Sequence, residues 1–221
     1  MSSLPFAPPR CFLPPKVVHA DTDILVVDKA SGVLSVPGRD INNRDSLVSR
    51  LEPDYGQVRV VHRLDFDTSG LIVFARHAAA LSNLSKQFQA RTVDKEYEAV
   101  VWGLIEQDEG SVDLPLALDW ENRPRHRVDH DQGKPSLTHY VVKERMDNPA
   151  RTRVTLLPVT GRSHQLRLHM EALGHSILGC PFYAPPAAQA AADRLLLHAA
   201  GLGFDHPASG ERMNFYSPAP F

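Results

Sequence analysis

Short apolar runs separated by charged, turn-forming stretches dominate the first third of the chain. Val17-Val18-His19 and Ile24-Leu25-Val26-Val27 predict strands, and Ser31-Gly32 after them predicts a turn. Asp45 to Leu51 reads as a short capped helix. Val58 to Val61 and Leu71 to Ala75 predict two further strands, so the stretch between them, VHRLDFDTSG, falls on a connecting loop.

From His77 to Ala90 the pattern changes period. Leu81, Leu84 and Phe88 recur at the spacing of an amphipathic helix. Glu98 to Trp102, Leu137 to Val142 and Arg153 to Leu157 predict strands. Ser163 to Leu173 predicts a second helix, with Leu166, Met170 and Leu173 along one face and Gly174 as its stop. Leu195 to Leu197 and Met213 to Tyr216 predict closing strands, and the Ala-rich run Ala187 to Ala192 a surface helix. Many strands with a few helices between them predict an α+β, or mixed α/β, catalytic domain on a largely antiparallel sheet flanked by helices and loops. Five prolines among residues 1–15 exclude a ladder there and predict an extended arm. The catalytic domain is expected over residues 16–221.

Composition narrows the class. With 221 residues, 43% of them hydrophobic, the chain can bury a sizeable core. A formal net charge of −2 excludes a uniformly basic nucleic-acid coat but leaves room for a local basic groove. Two cysteines, Cys11 and Cys180, are too few for a disulfide framework and suit a reducing compartment. No apolar run reaches the ~18 residues of a membrane span, and the Pro-rich start does not read as a secretory signal. The cytoplasm is the expected compartment.

The loop at 61–70 concentrates a histidine, an arginine and two aspartates. Asp65 and Asp67 point opposite ways if the backbone is extended, so one of them faces a cleft. Asp67, ahead of Thr68-Ser69-Gly70, suits a structural cap on the loop's own amides. Asp65, beside Arg63 and Leu64, is a candidate nucleophile or base, the alternative being an ordinary surface aspartate.

Three other clusters carry polar chemistry. Thr160 to His169 combines Arg162, His164, Arg167 and His169; its start offers backbone N–H groups for an anion. Arg162 and His169 share a face if the helix runs through both. Arg167 is a candidate partner for a buried carboxylate such as Asp65. A solvated basic helix explains the same residues. Tyr97, entering the strand after Lys95-Glu96, is either a core or edge aromatic or a platform for stacking on a base. Arg123, Arg125, Arg127 and Lys134 form a compact basic loop, solvated or in contact with phosphates. The 11 histidines form no HExxH or CxxC spacing, and no P-loop or GxSxG elbow is present, so no metal site is expected.

In this order the clusters resemble the RluA family of pseudouridine synthases across nearly the whole chain. The carriers are Val26 to Arg39, His62-Arg63-Leu64-Asp65 with Thr68-Ser69-Gly70, Lys95-Glu96-Tyr97-Glu98-Ala99, Thr160 to His169, and Leu196 to Pro207. Asp113 to Leu116, Asp119 to Pro124 and Gly133-Lys134-Pro135 resemble the branch acting on 23S rRNA and tRNA anticodon stem-loops.

The resemblance implies a pseudouridine-synthase fold without an additional N-terminal RNA-binding domain. It implies isomerisation of uridine in structured RNA after the nucleotide is flipped from its stack. Asp65 is the expected nucleophile, Tyr97 the residue stacking on uracil and a candidate base, and Arg167 the salt-bridge partner of Asp65. Arg63 is expected to fill the space the nucleotide leaves. RNA contacts are expected from His62, Arg63, Arg123, Arg125, Arg127, Lys134 and Arg162. No metal or organic cofactor is implied, and a monomer is expected.

Three positions depart from the family: Ala30 and Ser176 replace common prolines, and Cys180 replaces a common acid. Ser176 and Cys180 lie after the second helix, so they are expected to alter local packing more than activity. A catalytically silent RNA-binding module would not need Asp65, Tyr97 and Arg167 together, and a carbohydrate hydrolase lacks the second acid.

Overall fold

A computed structural model describes residues 11–221. The expected arm at 1–15 therefore lies partly outside the described residues. Residues 11–15 have no regular secondary structure, and the Arg50 guanidinium donates to the carbonyls of Cys11 (2.5 Å) and Leu13 (2.9 Å).

In chain order the first elements are β1 (Lys16–Ala20), β2 (Ile24–Lys29), α1 (Leu47–Tyr55), β3 (Arg59–Val60), β4 (Ser69–Ala75) and α2 (Ala78–Ala90). The next are β5 (Asp94–Trp102), β6 (Glu109–Asp113), β7 (Leu116–Leu118), β8 (His126–Val128), β9 (Leu137–Asp147) and β10 (Ala150–Pro158). The last are α3 (Gln165–Ala172), α4 (Pro186–Ala190), β11 (Leu197–Asp205) and β12 (Arg212–Tyr216). The chain divides into two compact units: residues up to Asp94 with Ala199–Pro218, and Lys95–His198 with Ala219–Phe221. No described helix is long and apolar enough to cross a membrane.

In the first unit β2 pairs antiparallel with β1 and β4, β3 with β4, and β12 with β11. Every residue of β4 is buried, which is why its sequence is a continuous apolar run rather than an alternation. Leu71, Ile72, Val73 and Phe74 each contribute about 2 kcal/mol by leaving water. The α2 stripe forms as expected: Leu84 is buried, and Leu81 and Phe88 pack on the cluster of Ile24, Val26, Leu71, Val73 and Phe204. Helix α1 starts one residue after Ser46, whose side chain and that of Ser49 cap each other's backbone N–H. Gly70, the second residue of β4, has φ 112°, and a Cβ there would lie 2.3 Å from the Ala199 carbonyl oxygen, so no other residue fits.

The second unit is an antiparallel run in which β10 pairs with β5 and β9, and β9 with β6; a separate hairpin is formed by β7 and β8. Leu166 and Met170 of α3 pack on Ala99, Val101, Val154 and Leu156. Gly133 leaves the hairpin where a Cβ would meet the Asp129 carbonyl oxygen at 2.1 Å.

Several boundaries differ from expectation: β5 starts at Asp94 and β9 ends at Asp147, and two further shifts have a local cause. Helix α3 begins at Gln165 rather than Ser163, because His164 takes a left-handed conformation (φ 57°) and breaks the helix there. β11 runs to Asp205, far beyond Leu197, through an Ala/Gly-rich segment with no apolar alternation.

Candidate functional site

The loop between β3 and β4 is a turn: the Thr68 N–H donates to the Asp65 carbonyl (3.2 Å), with Phe66 and Asp67 at the bend. The extended backbone that would send the two aspartates opposite ways is therefore absent. Asp65 is half-buried and Arg63 exposed.

What holds this turn is the segment after β2. Lys29 is only 1% exposed, and its Nζ donates to the carbonyls of Ala30 (3.0 Å), Val33 (2.8 Å) and Phe66 (3.1 Å). A buried ammonium is tolerated only when oxygens replace its water. Carbonyls on both segments do so here. The Phe66 carbonyl also accepts from the Gly32 N–H (3.0 Å), and the Asp67 carbonyl from the Ser31 hydroxyl (2.7 Å). The Ser35 hydroxyl donates to the Leu64 carbonyl (2.7 Å) and accepts the Leu64 N–H (3.1 Å). Leu64, Phe66 and Asp67 are thus fixed on both sides of Asp65, so its Cα has little freedom left.

His62 has a structural task. Its Nε2 accepts the Val73 N–H (3.1 Å), which requires a neutral ring, and the ring stacks on Phe88 at 4.6 Å. That placement gives no support to an RNA contact by its ring.

The other expected site residues belong to the second unit. Tyr97 lies on β5 opposite Leu156, half-buried, and packs on the cluster containing Leu166 and Met170. Arg167 is 2% exposed. Its Nε donates to the Cys180 thiol at 3.3 Å, and its guanidinium lies 5.1 Å from the Phe182 ring and 5.3 Å from the Tyr183 ring. Cys180 is therefore more than a packing residue: the position that departs from the family touches the candidate catalytic arginine.

Gln165 organises the turn before α3. Its Oε1 accepts from the Thr160 hydroxyl (2.7 Å) and the Arg162 N–H (3.0 Å), while its Nε2 donates to the Leu137 carbonyl and the Thr138 hydroxyl, both at 3.0 Å. The Arg162 amide expected to hold an anion is engaged internally. Arg162 and His169 do not share a face: Arg162 precedes the helix and donates to the Pro135 carbonyl (3.3 Å), whereas His169 is fully buried between Thr138 and the Leu114 carbonyl. Burial pushes the His169 pKa down, so it stays neutral.

Arg123, Arg125, Arg127 and Lys134 come together on the exposed β7–β8 hairpin and its exit. The Arg123 guanidinium stacks 3.8 Å over Trp120, itself 66% exposed. Arg127 pairs with Asp129 at 3.0 Å. Sequence reasoning missed Trp120, Tyr183, Lys29 and Ser35. A lysine ending a strand of four buried apolar residues was the one readable signal among them.

Among the described residues one group has metal-like spacing: Asp21, Asp23 and His206, with ligand atoms within 4.8 Å of one another. The His206 Nδ1 accepts the Ala208 (3.4 Å) and Ser209 (3.2 Å) amides, which puts the proton on the Nε2 facing Asp21 at 3.3 Å. A metal would need that nitrogen bare. The group acts instead as a hydrogen-bonded network in which Asp21 also pairs with His19 (2.7 Å) and Asp23 with His77 (2.9 Å). Burial opposes ionisation of Asp21, but the His19 bond and the Ile24 and Asp23 amides outweigh it and bring its pKa to about 2.

Residues 23–172 match the family described as RNA pseudouridylate synthase. The dual-specificity RNA pseudouridine synthase RluA of Pasteurella multocida is 52% identical over 205 residues, covering 93% of both chains. Its namesake from Escherichia coli K12 is 53% identical over 206 residues, with the same coverage. Human RNA pseudouridylate synthase domain containing 1 superposes with a TM-score of 0.80 at 31% identity, covering 96% of this chain and 86% of the human one.

Proposed function

This chain belongs to the RNA pseudouridylate synthase family and isomerises uridine in RNA, and from that premise we propose that it modifies 23S rRNA and tRNA anticodon stem-loops with Asp65 as the nucleophile. The observation that carries the site assignment is the turn at Asp65: a half-buried carboxylate on a backbone fastened at Leu64, Phe66 and Asp67. Such fixing suits a nucleophile, whose effectiveness depends on arriving at its target already oriented.

The Asp65 carboxylate bonds to C1′ as the N1–C1′ bond breaks; the uracil turns, the C5–C1′ bond forms as the Asp65–C1′ bond breaks, the C5 proton leaves and N1 takes one up. We assign Tyr97 to stacking on the flipped uracil and to proton transfer at C5, and Arg167 to keeping the working carboxylate ionised. The hairpin cations Arg123, Arg125, Arg127 and Lys134, with Arg63 and Arg162, are assigned to the RNA backbone. The two free cysteines, Cys11 and Cys180, suit a reducing compartment such as the cytoplasm.

The substrate range rests on two relatives at 52–53% identity named as dual-specificity enzymes. The test is pseudouridine mapping on unmodified 23S rRNA and tRNA incubated with the purified protein. New pseudouridine in both RNAs is expected, and modification of one alone would contradict the dual range.

A further inference from the structure

The turn between β7 and β8 carries an exposed tryptophan. Trp120 is 66% exposed, whereas a large indole ordinarily gains by burial. The turn that presents it is closed on itself. The Asp119 N–H donates to the Arg125 carbonyl (3.0 Å), and the Arg125 N–H to the Asn122 carbonyl (3.0 Å). The Asp119 carboxylate accepts from the Asn122 Nδ2 (2.9 Å) and from the Asn122 N–H (3.4 Å). None of these bonds involves the indole, so the turn keeps its shape without it.

One face of the ring lies under the Arg123 guanidinium at 3.8 Å, and the exposure of Trp120 leaves the other face to solvent. Arg123 donates through Nε to the Trp120 carbonyl (3.4 Å). Unlike Arg127, it pairs with no carboxylate among the described residues. An exposed cation–π pair is only weakly stabilising, a poor reason to hold an indole in water. A flat aromatic face beside an unneutralised cation fits a single-stranded nucleotide, with its base on the ring and a phosphate near the guanidinium. A paired stem offers no such base face. We infer that Trp120 and Arg123 form a nucleotide subsite that stacks an unpaired base from a loop of the substrate RNA. The stack adds what phosphate contacts lack, a preference for loops over duplex.

This inference rests on the proposed contact between the hairpin cations and RNA. The chain has two tryptophans, so Trp102→Phe leaves Trp120 as the sole indole reporter. Its fluorescence is expected to be quenched on saturation with an unmodified tRNA anticodon stem-loop and to change little with a duplex RNA of equal length. No quenching by the stem-loop, or equal quenching by both RNAs, would overturn the inference.

Affinity gives a second readout, with folding checked by circular dichroism. Trp120→Leu is expected to weaken stem-loop binding about tenfold, and Trp120→Phe, which keeps an aromatic face, about threefold or less. The salt dependence of both is expected to match wild type, because no phosphate contact is removed. If Arg123→Ala flattens the salt slope while Trp120→Leu binds as wild type does, the hairpin meets RNA without stacking and the subsite is refuted. If neither variant changes binding, the hairpin reading fails with it.

Discussion

The Lys29 ammonium lies 3.1 Å from the carbonyl oxygen of Phe66, the residue that follows Asp65. Through that bond, and two more to Ala30 and Val33, a buried cation on one segment holds the turn that presents the candidate nucleophile on another. The side chain has no room for a shell of water, so its donors are committed to the backbone.

Lys29→Met keeps the volume and removes the donors, taking the cation from the Ala30 and Val33 carbonyls and leaving the Phe66 carbonyl with the Gly32 N–H. A loss of about 2–4 kcal/mol in urea unfolding is expected, together with a kcat drop of tenfold or more in the folded fraction. Wild-type kcat in the folded variant would show that the turn does not need the lysine.

The Asp21 network predicts an acid-side signature. Its folded pKa of about 2 lies below the ordinary aspartate value of 3.8, so its contribution is fully present above pH 4 and fades as pH falls through 2. Asp21→Asn should therefore be less stable than wild type at pH 5 to 7, with the gap narrowing towards pH 2. A gap independent of pH would put the contribution in packing rather than charge.

Cys180→Ala removes a weak acceptor from Arg167 and a buried sulfur from the core cluster, and should cost about 1–2 kcal/mol, with kcat within about threefold. Arg167→Ala strands the rings of Phe182 and Tyr183 over a void and should cost about 3 kcal/mol or more. Equal costs in thermal or urea unfolding would contradict a packing role for the two rings against the arginine.

If the hairpin meets RNA phosphates, Arg123→Ala and Lys134→Ala should each flatten the slope of log affinity against log salt by about 0.7 to 0.9. Arg127→Ala should change it less, because Asp129 already neutralises that cation. Unchanged slopes for both Arg123 and Lys134 would remove the hairpin from the interface.

The parts of this fold legible in the sequence were those with a strong period. The Leu81, Leu84 and Phe88 stripe and the apolar run of β4 announce one buried face and two. β11 was hidden because Ala199, Ala200, Gly201 and Gly203 carry no apolar alternation; at Gly203 a Cβ would meet the Asn214 Oδ1 at 2.6 Å. The β7–β8 hairpin was missed because each of its strands is only three residues long. Asp65, Tyr97 and Arg167 were picked out by motif, and their local spacing alone left each ambiguous. The bonds from Lys29 to Phe66 and from Arg167 to Cys180 join residues 37 and 13 positions apart, so no short window contained them.

The central claim is that Asp65 does the chemistry. Its most direct test is pseudouridine formation on the tRNA anticodon stem-loop by wild type and Asp65→Asn, with folding checked by circular dichroism and RNA affinity measured in parallel. The carboxamide is isosteric but not a nucleophile, so the rate should fall at least about 10³-fold while fold and RNA binding persist. A folded Asp65→Asn variant that forms pseudouridine within tenfold of the wild-type rate would contradict the account.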